Sequence, residues 1–535
     1  MGAYGEDSWR ATPDFTVNYG VRYEISTPWW DATNKLETIV PGQQSASFPG
    51  APLGWVMAGD PGVPRTLAHV KYDKFAPRLG FVWAPKAQNG FLGKLTGSSG
   101  RFSLRGSYGI FYTSFQDESG FVEVGDPPYG LFWATPVPVT LSTPYIQRST
   151  QDVEPAKFPY AWPPFGVVSP SHPDNNIPWA SLEPLSSDDA VNINNTVPYA
   201  EEYNLGIERQ FGGATLLTLN YIGSQSRHLP NSVEANPGNI GLCLSLSQPI
   251  DVAPGTPTCG PHLESQQYTA ATGTVYQGTR ILDASNGQGL AWGSNPYLET
   301  TATGNYNAFQ ANLRYRTNRY GEILVGYTFS KSMDDASAMT DTTYVYNPHA
   351  DYGLSKFDVP QYLVASYNIL LPFGYWVSSH PAKALLGGWS ITGVSEFAAG
   401  TPVTLIETDD QSLFGGDGRD LPNYTVGNIV ADHNPRDRNP WFTTSLFSKE
   451  SLGVYGDSKR RFFVGPGLDH TDLSLQRNFH IWETSNLNLR AEAFNIANHA
   501  EFSLPVGNIN SGGFGKISSA AQSQRVLELA GKFTF

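Results

Sequence analysis

Two groups of carboxylates have the residue type and clustering to hold a cation. Asp334, Asp335 and Asp341 fall within one segment, and Asp409, Asp410, Asp417 and Asp420 within another. Calcium takes several carboxylate and carbonyl oxygens, so loop calcium is the one cofactor the sequence raises. Neither group has an EF-hand register. Solvated acidic loops are the simpler reading of both, and Asp334, Asp335 and Asp341 stand only as weak metal candidates. Two cysteines, Cys243 and Cys259, share one long polar segment. In an oxidising compartment they would pair and close a short loop, worth about 3 kcal/mol in chain entropy. Two free thiols are the alternative. Metal binding there is disfavoured, because no C-x-x-C is present and His262 is the only nearby imidazole. The sequence has no G-x-S-x-G, no H-E-x-x-H, no P-loop and no G-x-G-x-x-G after a strand, and its ten histidines lack ligand spacing. An enzyme is not expected.

Positioning any of these residues falls to segments with a period of two. In the last stretch, Arg525, Leu527, Leu529, Gly531, Phe533 and Phe535 share one face, against Val526, Glu528, Ala530, Lys532 and Thr534. A strand between lipid and a wet lumen needs this two-faced pattern. It recurs in 14–25, where Phe15, Val17, Tyr19, Val21, Tyr23 and Ile25 oppose Thr16, Asn18, Gly20, Arg22 and Glu24. It recurs again in 100–113, 305–317, 320–331, 468–480 and 484–495. Arg477 breaks the alternation of its segment; near a membrane edge it can snorkel. Weaker candidates lie near 2–11, 74–85, 199–211, 213–223, 360–371 and 387–399.

The connections alternate in length. Thr12-Pro13, Gly212-Gly213, Asn318-Arg319 and His480 to Thr484 are tight, and 86–99 and 372–386 are moderate. Between them stand the long stretches 26–73, 114–198, 224–304, 332–359, 400–467 and 496–523, rich in Pro, Gly, Asn and Trp. They read as ordered lids or mobile arms, with no separate domain among them. Short turns on one rim and long loops on the other mark an outer-membrane barrel. The predicted fold is therefore all-β: an antiparallel transmembrane β-barrel with short periplasmic turns and long extracellular loops.

Composition agrees. The 535 residues carry a net charge of -14, with 15% charged and 13% aromatic residues, 54 Gly and 40 Pro. That is not the profile of a helical enzyme or a coiled coil, and the acidic balance argues against nucleic acid. No apolar run of about 18 residues provides a transmembrane helix. A mean hydropathy of -0.30 does not count against a barrel, since only alternate strand residues meet lipid. Strands number about 13, and single-chain bacterial barrels usually have an even number. An odd count, ending on the short-turn rim, predicts an incomplete barrel: about 13 of the about 22 strands of large plugged transporters. No basic n-region or apolar h-region follows Met1, so residues 1–535 read as part of a longer protein, without its signal peptide or plug.

In such a wall Arg22, Glu24, Arg314, Arg316, Arg490 and Glu492 face the lumen. Arg490 with Glu492, and Arg22 with Glu24, are spaced either to contact a solute or to form ion pairs in the wall. Trp29, Trp30, Trp133, Trp162 and Trp179 in the loops could stack on sugar rings, or pack the loops together.

Several runs, in order along the chain, carry a resemblance. They are Glu6-Asp-Ser-Trp-Arg10, Val17-Asn-Tyr-Gly-Val-Arg-Tyr-Glu24, Phe75-Ala-Pro-Arg-Leu-Gly-Phe81 and Phe102-Ser-Leu-Arg-Gly-Ser-Tyr-Gly-Ile-Phe-Tyr112. Tyr306-Asn-Ala-Phe-Gln310, Tyr327-Thr-Phe-Ser-Lys-Ser-Met-Asp-Asp335, Ser355-Lys-Phe-Asp-Val-Pro360, Gly387-Gly-Trp389, Gly465-Pro-Gly467 and Arg490-Ala-Glu-Ala-Phe-Asn495 follow. Together they resemble the barrel of TonB-dependent receptors, in the Oar-like subgroup that has an N-terminal carboxypeptidase-regulatory-like domain. The resemblance implies a 22-strand, plug-gated barrel in the outer membrane of a Gram-negative-type bacterium. It implies passage of a bulky solute, driven by the TonB complex through the plug. The barrel-assembly machinery would read the closing strand at Leu529, Gly531, Phe533 and Phe535. Plug and TonB box are not found here, so this chain alone is not expected to drive transport. Two alternatives stay open: a plugless pore or surface adhesin, and a secreted carbohydrate-binding or glycan-cleaving β-protein. The solute is not named by the sequence.

Overall fold

The computed structural model describes all residues except 67, 87–88, 98–99, 115–125, 130–176, 186–189, 283–289, 318–320, 416–418 and 430–438. Thirteen strands follow one another as an antiparallel meander in chain order. They are β1 (Gly2–Thr12), β2 (Phe15–Glu24), β3 (Lys74–Trp83), β4 (Phe102–Tyr112), β5 (Tyr199–Phe211), β6 (Thr215–Glu234) and β7 (Pro296–Thr317). Then come β8 (Gly321–Asp334), β9 (Gln361–Leu370), β10 (Trp389–Ala398), β11 (Leu468–Trp482), β12 (Ser485–Phe494) and β13 (Val526–Thr534). Two short strands at the margin, Ala190–Val191 and Gly353–Leu354, bring the sheet to fifteen. Within the sheet, β1 pairs with β2 alone and β13 with β12 alone.

Each segment with a period of two becomes one of these strands, within a residue or two at most ends. β6 and β7 depart from expectation: they continue to Glu234 and back to Pro296, beyond the alternating stretch. Bulges at Glu299/Ala302 and Ala302/Gly304, and a positive φ of 57° at His228, break the alternation there while the pairing goes on. The Gly212-Gly213 hairpin needs its glycine, since Gly212 has φ +60°. The Asn318-Arg319 turn lies outside the described residues.

Register turns the alternation into two faces. One row across the sheet is Val17, Phe81, Gly106, Leu205, Tyr221, Phe309 and Phe329. The neighbouring row is Asn18, Gly80, Ser107 and Asn204. Such cross-strand pairs are the unit of sheet stability. The first face is apolar yet bare: Leu205, Tyr221, Phe309 and Phe329, with Tyr19, Leu79, Leu475 and Leu489, are all exposed. Among the described residues no second layer covers it, as a β-sandwich would require. A continuous apolar surface of this kind belongs against a membrane.

The buried apolar clusters lie elsewhere, in the long connections. One joins Ile39, Phe48, Trp55, Trp179, Leu185 and Trp292; another joins Leu36, Val56, Ala58 and Val63. A third gathers Leu246, Tyr268 and Leu413 around the cysteines, and a fourth holds Val403, Leu405, Phe442, Phe447 and Phe463. The long connections thus form a packed cap with cores of its own, supported by the projecting ends of β6 and β7. Of the ordered lids and mobile arms that the sequence left open, these packed stretches are the former.

The two faces make a direct prediction at adjacent residues. Leu219, in the apolar row between Ile207 and Ala311, should cost about 2–4 kcal/mol of folding free energy when changed to Arg. Thr218→Arg, which points the other way beside Glu208, should be near neutral. Urea titration of the protein in lipid vesicles measures both.

Candidate functional site

The polar face is laced with short-range ion pairs. Arg22 Nε donates to Glu24 on the same strand, and Arg490 Nε lies 3.1 Å from Glu492 Oε2. Arg314 Nε donates to Glu322 Oε1 across the β7–β8 pair at 2.6 Å, and Arg316 faces Glu322 in register. Arg105 Nη2 reaches Glu208 Oε2 at 3.3 Å. These groups are partly exposed, so each pair contributes no more than about 1 kcal/mol. Their effect is to spread fixed charge of both signs along a surface that suits water and a polar solute.

Where β7 and β8 meet the cap, the first acidic group is tied to arginines. Arg460 Nη2 is 3.2 Å from Asp334 Oδ1, and its Nη1 is 3.5 Å from Asp341 Oδ2. Arg461 Nη2 is 3.6 Å from Asp341 Oδ2, and its Nη1 donates to Ser337 Oγ at 2.8 Å. Asp335 accepts from the Thr303 amide at 2.8 Å and its hydroxyl at 2.7 Å, with His349 Nδ1 at 3.2 Å. Burial alone would raise the Asp341 carboxyl; Arg460, the Ser337 amide and Arg461 hold it below its ordinary value. Burial, then the adjacent Arg460, lowers Arg461. The hub joins the 335–360 and 399–467 connections. Among the described residues, no group of three or more acid, histidine or cysteine side chains has metal-holding geometry.

The second acidic group divides. Asp417 lies outside the described residues, and half-buried Asp409 pairs with Lys449. Asp410 and Asp420 are buried, and Glu264, Glu407 and Glu450 are buried with them. Asp420 accepts from the Ser412 amide at 2.8 Å and its hydroxyl at 2.7 Å. Burial, then a contact with Glu264, raises the Asp410 carboxyl; burial, then Glu407, raises Glu450. Burial first raises Asp420 as well. Neighbouring carboxyls of this kind share protons, because two like charges cannot both be desolvated. Cys243 and Cys259 form a disulfide beside this cluster, packed with Tyr268 and Leu413.

The profile of one family, described as "Outer membrane beta barrel domain", matches residues 1–528. The chain belongs to that family. This barrel chain is therefore an outer-membrane protein, and its bare apolar face is the one that meets lipid. No curated protein matches it in sequence. Solved structures that resemble it include the outer membrane transporter YddB from Escherichia coli, at 9% identity and a TM-score of 0.44, covering 99% of this chain and 44% of that one. Another is the pyoverdine outer membrane receptor FpvA from Pseudomonas aeruginosa, at 10% identity and a TM-score of 0.40, covering 100% and 42%. A third is the ferric-catecholate import receptor Fiu from E. coli, at 10% identity and a TM-score of 0.36, covering 100% and 44%. The barrel chain spans less than half the length of each.

Sequence reasoning missed Arg460 and Arg461, although a basic pair in so acidic a chain is a visible signal. It also missed Glu264, Glu407 and Glu450, which carry no local pattern. Of the loop tryptophans, Trp29 and Trp179 pack into cap clusters, while exposed Trp30 lies under Arg65, 4.9 Å from its ring centre. Trp133 and Trp162 lie outside the described residues.

Two predictions concern the cap. Arg461→Ala leaves buried Asp334 and half-buried Asp341 with Arg460 as their remaining guanidinium, and should destabilise the cap by about 1.5–3 kcal/mol, the worth of a charge-assisted hydrogen bond. Limited proteolysis of the 335–360 connection reads that loss. The raised carboxyls of Asp410, Asp420 and Glu450 bind protons in the folded cap that the unfolded chain has already released. Their contribution is present at acid pH and is lost as pH rises from the ordinary carboxylate range through the raised values. Hydrogen exchange at the amides of Glu407 and Ser412, corrected for intrinsic rates, should accelerate over that rise. Glu450→Gln should flatten the dependence.

Proposed function

We propose that this chain is the wall and outer cap of a TonB-dependent outer-membrane transporter of the Oar-like kind. The reading rests above all on one unbroken antiparallel meander, bare and apolar on one face and ionic on the other, with short connections at one rim and a packed cap at the other. The outer edges of β1 and β13, unpaired among the described residues, support further strands in the whole protein, because backbone groups facing lipid must be paired. A barrel of about 22 strands would be closed in that way and hold a plug. The cap would capture a bulky solute, and the ion-paired face would line its route. The TonB complex would supply energy through the plug.

β13 and Phe535 support a further element of this reading. Leu529, Phe533 and Phe535 are exposed, and Phe533 stacks on Phe535 with centroids 6.1 Å apart. Such a strand would be read by the barrel-assembly machinery. Phe535→Ala should then lower the amount of folded, heat-modifiable protein in the membrane, without changing the stability of the protein that does fold.

The test of transport is binding and conductance of the full-length protein. It should bind the periplasmic domain of TonB and stay closed in planar bilayers until the plug is unfolded by urea. A constitutively open pore with no affinity for TonB would point to the plugless alternative.

A further inference from the structure

The short-connection rim carries two small helices that the transport reading does not use. α1 (Gly90–Thr96) lies between β3 and β4. α2 (His380–Leu386) lies between β9 and β10, after a 3-10 turn at Pro372–Tyr375. Each leaves large apolar residues exposed. Phe91 is 78% exposed and Leu95 54% in the first; Leu385 is 65% exposed in the second, and Trp376 just before it 71%. Helices this short are marginal in water even with favourable sequences.

Their position follows from two arginines on the apolar face. Arg477 pairs in register with Trp389, one step from the Ile391–Leu475 pair, and so shares the face that meets lipid. Its guanidinium donates to the carbonyls of Ala384 and Leu385, at the C-terminal end of α2. It also lies 4.0 Å from the Phe479 ring centre and 5.9 Å from that of Trp389. Trp389 Nε1 donates to the Leu385 carbonyl at 3.3 Å. A side chain on the outer face can reach α2 only if α2 stands outside the wall. The arrangement at α1 is similar. Arg209 pairs in register with Phe102 on the same outer face and stacks over Phe211 at 5.3 Å. Gly97, which ends α1 with φ +77°, lies against it: a Cβ there would be 2.9 Å from Arg209 Nη1.

We propose that α1 and α2 are interfacial feet, lying outside the wall in the headgroup region of the periplasmic leaflet, with phospholipid as their occupant. The outer face of β4, β5, β10 and β11 is already lipid-facing, and the feet continue that surface past its rim. Trp376, Phe91, Leu95 and Leu385 enter the acyl boundary, where amphipathic rings and leucines are at home. Lys94 in α1 and Lys383 in α2 are exposed and extend toward the phosphates. Arg477 and Arg209 avoid lipid by meeting helix-end backbone and an aromatic face. The helix end supplies partial negative charge to the first of them.

Spin labels test this in the full-length protein in phospholipid vesicles. Cys243 and Cys259 are disulfide-bonded, and any cysteine in the rest of the full-length protein is changed to serine, so an added cysteine is labelled alone. Labels at Leu385→Cys and Leu95→Cys should collide with oxygen more than with a water-soluble nickel chelate, as should a reference label at Leu475→Cys on the wall. A label at Val426→Cys, 88% exposed in a long connection, is the water reference. Arg477→Ala should shift the label at 385 toward the nickel chelate and leave the label at 95 unchanged. If the labels at 385 and 95 behave like that at 426 while 475 behaves as lipid-exposed, the feet stand in water and the proposal is wrong. If 475 itself behaves as in water, the membrane reading of the wall fails instead. Trp376→Cys replaces Leu385→Cys should that variant not fold, and heat-modifiable migration reports folding.

Discussion

Backbone hydrogen bonding between sequential strands, in a surrounding without water, is the constraint on which the rest of this structure depends. Lipid offers no partner for an N–H or C=O, so the wall must satisfy each one within the sheet. That fixes an antiparallel meander, and the meander fixes register. Register then decides that Tyr221 and Phe309 lie side by side on the outside, while Asn18 and Ser107 look inward. A slip of one residue would exchange the two faces, placing Arg314 and Glu322 in lipid. The chemistry of each face is therefore a consequence of pairing and not a separate choice.

Freed from holding a hydrophobic core beneath the sheet, the chain builds its cores where water returns. The cap behaves as a soluble fold laid on a membrane wall. Trp55 and Trp292 meet with ring centres 5.6 Å apart, from connections far separated in sequence. Buried Asp334 and half-buried Asp341 are neutralised by Arg460 and Arg461, and the carboxyls around Asp410 and Glu450 by shared protons. Both devices lock loops together on the rim of the long connections. The stacked Tyr344 and Tyr455, 4.0 Å apart, add an aromatic tie next to buried Asp351, which accepts from Tyr455 Oη at 3.1 Å.

What was legible in the sequence was what repeats locally. Alternation marked the wall strands, and the lengths of Gly212-Gly213 and Thr12-Pro13 against 26–73 marked the rims. Arg477 was visible as an exception, but its partners Ala384 and Leu385 stand 93 and 92 residues away, and nothing near position 477 announces them. The same holds for Arg460 with Asp334, which are 126 residues apart. The carboxylates at 334, 335 and 341 read as solvated loops, with a cation as the weaker choice, because sequence shows the clustering of like charge and conceals the opposite charge brought in by folding. The extensions of β6 and β7 were hidden because bulges remove the period of two while leaving the ladder intact.

The most direct test of this account is thiol accessibility along one wall strand of the membrane-embedded protein. Single cysteines from 308 to 315 on β7 would be exposed to a membrane-impermeant, water-soluble reagent. The account predicts a period of two: Gln310, Asn312 and Arg314 positions react, Phe309, Ala311, Leu313 and Tyr315 positions do not until detergent is added, and Ala308, itself buried, is protected by packing. Uniform reaction, or protection of both sets alike, would contradict a wall with one face in lipid and the other in water.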